Sequence, residues 1–417
     1  MSRIGFVSTR FAGNDGVSLE SEKWAGVLEE AGHEVFWFAG ELDRPAGRSM
    51  LVPEAHFTDA ANRRIEEGVW GRLHRSPEIN RLIGERVELL RQRLHRFVEA
   101  FGIDILIVEN ALTIPMQIPL GVALTLFIAE TGTPTIAHHH DFYWERTRFA
   151  VNAVRDYLEM AFPPSLPQIQ HTVINSAARD QLAWRKGLSS VVVPNVLDFE
   201  RPPDPAVADC ARVRERMEID ADALLLLQPT RVVPRKGIEH AITLASRLRD
   251  RHSTLLITHE SGDEGDAYLQ ALQEMAREAQ VDLRLVRTVQ PRVAGAASPE
   301  GALSLWEVYP CADLVTYPSL YEGFGNALLE AFYFRVPVLI NRYSIFVQDI
   351  EPRGFRTIAM DGFLTPGVVD QVRRILRDPE LRREMVESNF SQARRYYSYA
   401  VLRRRLQTLL LNVTGMD

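Results

Sequence analysis

The chain has 417 residues, 46% of them apolar and 25% charged, with a formal net charge of −7. That length exceeds one ordinary core and points to two domains, and the acidic balance argues against nucleic acid as the main partner while leaving room for a local basic patch. Cys210 and Cys311 are the only cysteines, so there is no cysteine-based metal cluster and at most one disulfide, and a reducing cytoplasm is the simpler compartment.

In chain order, Ile4 to Ser8 reads as a first strand, with too short an apolar run for a signal peptide. A Gly-rich loop, Gly13 to Gly16, precedes a helical pattern from Ser18 to Ala31, and Gly32 to Phe38 returns as a strand. This is the β-loop-α-β opening of a doubly wound parallel sheet. Arg48 to Asn62 reads as irregular and Ile65 to Phe101 as helical. Ile103 to Val108 and Thr133 to Ala137 are buried strands flanking an amphipathic stretch, Gly121 to Glu130. His171 to Asn175 and Ser190 to Val193 repeat the pattern around a helix at Ala177 to Lys186, giving about six parallel strands in the first half. Leu197 to Ala221, with Pro202, Pro203 and Pro205, reads as a linker.

The second half restarts the alternation at Leu224 to Gln228 and closes with Arg-rich helices over Gln371 to Arg377 and Leu381 to Leu410. Domains are expected at 1–198 and 199–395, with a last helix over about 396–417 packing back on the first. No apolar run approaches the ~20 residues needed to cross a bilayer; peripheral membrane contact stays open through the Arg-rich final helices.

Three stretches carry chemistry. Tyr317 to Ala331 sets Glu322 and Glu330 on either side of a Gly-Phe-Gly turn, Gly323 to Gly325, that opens a helix near Asn326. A helix N-terminus offers backbone N–H groups to an anion, and the glycines let it approach closely. Pro229 to Gly237 follows the strand that opens the second half, where loops line the ligand crevice of an α/β sheet. Arg231 and Lys236 on this loop are placed to neutralise a diphosphate. His138, His139, His140 and Asp141 follow a strand in the first half. They resemble a metal site only superficially, because adjacent residues at a strand end rarely converge on one ion; no metal is expected.

With Arg231, Lys236, Glu322 and Glu330 all at the family's spacing, the chain resembles the retaining nucleotide-sugar glycosyltransferases of the GT-B fold, family 4 (glycosyltransferase group 1). That family includes sucrose-phosphate synthases and bacterial mannosyltransferases. The resemblance covers nearly the whole chain and is strongest in the second domain. It implies an α/β fold of two Rossmann-like domains facing a central cleft. It implies that Arg231 and Lys236 hold the donor diphosphate, that Glu322 and the backbone of Gly323, Phe324, Gly325 and Asn326 meet the donor sugar, and that Glu330 binds the ribose. Gly16 lies in a loop that family members place against the donor phosphate; this loop lacks the common double glycine. A histidine at the strand end supports the reacting sugar, best matched by His140 and next by His139. Acceptor contacts fall to Asp15, Asn110 with its neighbour Glu109, His139, Asp141 and Arg148, while the aromatics of Phe142 to Trp144 and Arg146 are further candidates. The segment His259 to Gly265 departs from the family's Gly-x-Gly form at that strand end.

The resemblance therefore implies a hexosyltransferase moving mannose or glucose from a nucleoside-diphosphate sugar, such as GDP-mannose or UDP-glucose, to an acceptor hydroxyl with retention. No cofactor is required beyond the nucleotide sugar as co-substrate. A small sugar acid is one acceptor, of the kind that yields glucosylglycerate-type solutes. Alternatives are a nucleotide-sugar epimerase or phosphorylase on the same fold, and a non-catalytic nucleotide-sugar-binding subunit.

Overall fold

The computed structural model describes residues 1–13, 15–204, 208–248, 252–258, 266–286, 288–289 and 303–415. The chain forms two compact units, one of Met1–Asn195 with Ala400–Asp417 and one of Val196–Tyr399. His259 to Gly265 and Asn14 lie outside the described residues.

The first unit runs β1 (Arg3–Val7), α1 (Gly16–Glu30), β2 (Glu34–Ala39), β3 (Ser49–Leu51), α2 (Ala60–Val69), α3 (Pro77–Phe101), β4 (Ile105–Glu109), α4 (Ile118–Thr131), β5 (Thr135–His139), α5 (Arg155–Ala161), β6 (Ile169–Val173), α6 (Ser176–Lys186) and β7 (Ser190–Val192). Its seven strands pair in the order β3-β2-β1-β4-β5-β6-β7, every pair parallel. Strands buried on both faces are near-continuous apolar runs, as in β4, whose Ile105 to Val108 are all apolar before Glu109 ends it. α3 buries Ile79, Ile83, Val87, Leu90, Leu94 and Phe97, a stripe of period 3.6. Ser76 caps its start, Pro77 fills the first turn, and Gly102 ends it in the left-handed conformation.

Three expectations change here, the first being that the stretch Ile65 to Phe101, read as helical, is broken over residues 70–76 into α2 and α3. β3 is a real edge strand inside the stretch read as irregular, and α4 is buried nearly all round rather than amphipathic. α4 packs between sheet, α3 and α5 residues, and Gly121 leaves no room for a Cβ, which would sit 2.2 Å from the Phe162 ring.

The second unit begins with α7 (Cys210–Arg216) and continues through β8 (Leu224–Gln228), α8 (Ile238–Arg247), β9 (Ser253–Ile257), α9 (Asp266–Glu278), β10 (Asp282–Leu285), β11 (Thr288–Val289), β12 (Leu303–Ser304) and α10 (Leu305–Val308). It ends with β13 (Leu314–Tyr317), α11 (Asn326–Tyr333), β14 (Val338–Asn341), β15 (Ile358–Met360), α12 (Pro366–Arg377) and α13 (Pro379–Tyr397). The main sheet has the order β10-β9-β8-β13-β14-β15, and β11 pairs with β12 apart from it. A disulfide joins Cys210 to Cys311 within this unit. The last helix, α14 (Tyr399–Thr414), lies largely in the first unit, where Arg403 pairs with Glu30 at 2.8 Å.

In each sheet the strand order reverses once, between β1 and β4 in the first and between β8 and β13 in the second. Loops that leave the carboxyl ends of those strands diverge to opposite faces and open a crevice for ligand. The loops after β8 and β13 carry Lys236 and Glu322; those after β1, β4 and β5 carry Asp15, Asn110 and His140.

Candidate active site

In the second unit the loop after β8 ends in a single 3-10 turn, Pro234–Lys236, and Gly237 follows with φ 60°. A Cβ on Gly237 would lie 2.5 Å from the Pro318 carbonyl, so glycine is what lets this loop press against the one after β13. The two loops are tied by Leu320 N–H donating to the Arg235 carbonyl at 2.8 Å. Lys236 and Glu322 then meet as an ion pair, each side chain only 10% exposed. Arg235 stands 3.5 Å from the second Glu322 oxygen and donates to the Tyr321 carbonyl at 3.2 Å. Burial would push the Glu322 carboxyl up, but Lys236 and then Arg235 hold it below its ordinary value. Burial pulls the Lys236 ammonium down against the opposing pull of Glu322. Arg231 is exposed and, among the described residues, has no carboxylate partner; its charge adds to the field at Lys236.

The carboxylate of Glu322 sits just before α11, whose N-cap is Gly325 at φ 116° with no side-chain cap. Tyr343 fixes this turn by donating to the Phe324 carbonyl at 2.8 Å, and a Cβ on Gly325 would lie 2.4 Å from the Tyr343 hydroxyl. Phe324 is buried edge-on against Tyr397, so its side chain belongs to the core. Glu330, one turn into α11, accepts from the Tyr309 hydroxyl at 2.7 Å. Three cations, a helix start without a side-chain cap and a buried carboxylate thus collect on adjacent loops, an arrangement suited to an anionic group carrying hydroxyls.

In the first unit β5 ends in His138 and His139, His140 follows directly, and the alternation of the extended chain sends successive histidines to opposite faces. His138 and His140 lie on one face with Glu109, the last residue of β4, which pairs in register with His138. Glu109 Oε2 is 3.0 Å from His138 Nδ1 and 3.1 Å from His140 Nε2. Trp24 of α1 stacks on His138 with centroids 4.1 Å apart. His139 points the other way and pairs with His171 at 2.9 Å, and burial holds both rings below the ordinary histidine value. Asn110, at φ 58°, clips the strand end: its Oδ1 accepts from His140 N–H at 2.8 Å and its Nδ2 donates to Asp141 at 3.1 Å. Asp141 is also bound by Arg146.

Residues 299–392 match the family described as glycosyl transferases group 1. The mannosylglucosylglycerate synthase of Thermotoga maritima is 32% identical over 429 residues, covering 95% of this chain and 96% of that protein. The synthase of the same name from Petrotoga mobilis is 32% identical over 379 residues, 86% of each chain. The chain belongs to the group 1 glycosyltransferases. A glycosyltransferase from Rickettsia africae shares its fold across the whole chain, with a TM-score of 0.72 at 12% identity and coverage of 100% and 99%. This glycosyltransferase is thus a hexosyltransferase of the GT-B fold, built of two parallel-sheet α/β domains. Among its described residues no helix is long and apolar enough to cross a membrane.

Several expected contacts of the glycosyltransferase are revised by its geometry. His139 is fully buried and cannot meet an acceptor. Glu109, an acceptor candidate by position, is equally buried and belongs to the histidines instead. Asp15 is the N-cap of α1, accepting from Val17 and Ser18 N–H and from the Ser18 hydroxyl at 2.6 Å, with Arg10 at 3.2 Å; capping, not an acceptor hydroxyl, occupies that carboxylate. Gly16 opens α1 with empty space where a Cβ would be. Phe142 is buried against Trp144, and Arg148 lies over the Phe149 ring, where Glu66, Arg146 and Asp141 are the charged groups that act on it.

The idea that consecutive histidines do not converge also fails for His138 and His140, because alternate residues share a face. With Glu109 they are the described group whose ligand atoms lie within 4.8 Å of one another. Both nitrogens here face one carboxylate oxygen, so each donates a hydrogen bond to it while the carboxylate is ionised. Arg235, Tyr309 and Tyr343 are site-supporting residues that the sequence left unmarked; no spacing signal singles them out.

Proposed function

We propose that the enzyme transfers a hexose, read as mannose, from a nucleoside-diphosphate sugar to a hydroxyl of a small sugar acid such as glucosylglycerate, with retention at the anomeric carbon. The observation that carries the reading is the buried Lys236–Glu322 pair at the uncapped start of α11, with Arg231 exposed beside it. The names of the two full-length relatives support mannose and the acid acceptor. Arg231 and Lys236 take the diphosphate, and the α11 N–H groups of Gly325 and Asn326 share its charge. Cleavage of the donor bond leaves a diphosphate anion and an oxocarbenium-like sugar, so electrostatic stabilisation of the leaving group is the main catalytic effect. This positive set supplies the role a divalent ion plays elsewhere. Glu322, already held by Lys236, accepts hydroxyl hydrogens of the sugar and positions it; it is not the nucleophile of a glycosyl-enzyme. Glu330 takes the ribose hydroxyls, and His140 donates to the transferred sugar.

The test is incubation of the purified enzyme with labelled GDP-mannose, UDP-glucose or ADP-glucose and with glucosylglycerate or glycerate. Label in a new acidic glycoside is the expected outcome. Conversion of the donor sugar without acceptor would instead indicate an epimerase, and tight donor binding without turnover would indicate a binding subunit.

A further inference from the structure

We propose that Glu109 is a positioning residue for sugar transfer, holding the His140 ring through Nε2 so that Nδ1 is the nitrogen left for the transferred sugar. This rests on the role given to His140 above. Glu109 is fully buried at the end of β4, and its Oε2 lies within hydrogen-bond distance of both rings, 3.0 Å from His138 and 3.1 Å from His140. One carboxylate oxygen facing two imidazole nitrogens dictates where their hydrogens sit: His138 carries one on Nδ1 and His140 one on Nε2.

His138 cannot itself reach substrate. It is 1% exposed, stacked under Trp24, and its second nitrogen is buried without a partner. Its function is to hold the Glu109 carboxylate, which a buried site would otherwise destabilise. His140 is the member of the trio at the surface, with 11% of its side chain exposed and no partner for Nδ1 among the described residues. The Asn110 clip on its backbone N–H fixes the peptide to which the ring is attached.

The charged groups around His140 are Glu109 from β4, Glu20 from α1, Asp141 from its own loop and His138 beside it. Burial alone would drive off the His140 proton, but Glu109, then Glu20 and Asp141, raise its affinity above that of an ordinary histidine. Doubly protonated, the ring donates from Nε2 to Glu109 and from Nδ1 to a sugar oxygen. Without the carboxylate it is free to lose a proton or turn over, and the donor to the sugar is lost.

The experiment uses the full chain with Glu109→Gln, Glu109→Asp and His140→Ala. Ring nitrogen NMR on labelled wild-type protein should show His140 protonated at Nε2 and titrating above the ordinary histidine value of about 6.5. In Glu109→Gln that midpoint should fall, a readout that needs no substrate. In transfer assays Glu109→Gln should lower kcat roughly ten- to a hundredfold, the loss expected when a hydrogen-bond partner of a charged group is removed. Donor KM should stay within about twofold, and the alkaline limb of the pH profile should move to lower pH. Glu109→Asp, which keeps the carboxylate, should recover most of both changes. If Glu109→Gln does not fold, Glu109→Asp and the wild-type titration carry the test. Undiminished kcat with an unmoved alkaline limb in folded Glu109→Gln overturns the proposal, as does one equivalent of metal bound at this cluster by elemental analysis. Full transfer by His140→Ala sinks the underlying role of His140 instead.

Discussion

Replacing Lys236 by Met removes the ammonium from a pair in which both side chains are 10% exposed. Breaking a buried pair by removing one partner costs about 3–5 kcal/mol, because a charge is left without compensation. Arg235 remains 3.5 Å from Glu322 and is 40% exposed, so the loss should fall at the lower end, about 3 kcal/mol. Removing both charges in Lys236→Met with Glu322→Leu should return stability to within about 1 kcal/mol of wild type, since a buried pair and an apolar pair of similar volume are close in energy. The coupling between the sites should then exceed about 2 kcal/mol. The assay is denaturant unfolding followed by fluorescence of Trp306, the tryptophan of the second unit, with the transition of that unit fitted separately because two-domain chains need not unfold in one step. Transfer should be abolished in both variants, stable or not. A single variant as stable as wild type, or a stable double variant that still transfers sugar, would refute the reasoning.

Arg231→Ala should change stability by less than about 0.5 kcal/mol, since the side chain is exposed, while kcat/KM for the donor falls by one to two orders of magnitude as a charge-assisted contact of about 1.5–3 kcal/mol is lost; unaltered kinetics would remove it from the site. Gly325→Ala forces a Cβ into a backbone at φ 116° and to within 2.4 Å of the Tyr343 hydroxyl, which should cost about 1–3 kcal/mol and abolish the thermal shift produced by donor, whereas a soluble variant that still binds nucleotide sugar would contradict the turn's role. The buried trio contributes to the pH dependence of the first unit. Despite burial, the histidines hold Glu109 below its ordinary value, so its stabilising contribution is present above the unfolded carboxylate value and is lost as pH falls through the folded one. His140 is raised, so its contribution is complete below the unfolded histidine value and fades as pH rises through the folded one. Glu109→Gln should remove this contribution in pH-resolved unfolding; an unchanged profile would show that the trio contributes nothing to it.

Much of this was legible because α/β proteins write their strands as apolar runs and their ligand loops directly after them. The run Leu224–Gln228 followed by Arg231 and Lys236 locates one loop, and Gly323 to Gly325 before an apolar helix locates the other. What was not legible depends on register. All five residues of Thr135–His139 are buried, so no polar alternation marks which histidine faces which side, and the pairing of Glu109 with His138 exists only once β4 lies beside β5. The short strand Ser49–Leu51 is too brief to stand out from its turn-rich surroundings. Asp15 precedes a helix start and carries an ordinary capping signature, which accounts for its carboxylate better than a ligand does. Arg146, read as an acceptor contact, is bound to Asp141 by a contact five residues back that composition does not reveal.

The most direct test of the central claim is to supply GDP-mannose and glucosylglycerate to the purified enzyme and read the anomeric proton of the product by NMR. The account predicts a new α-linked hexosyl glycoside of the acid, formed by wild type and absent with Lys236→Met. A β-linked product, or turnover of the donor with no glycoside formed, would contradict it.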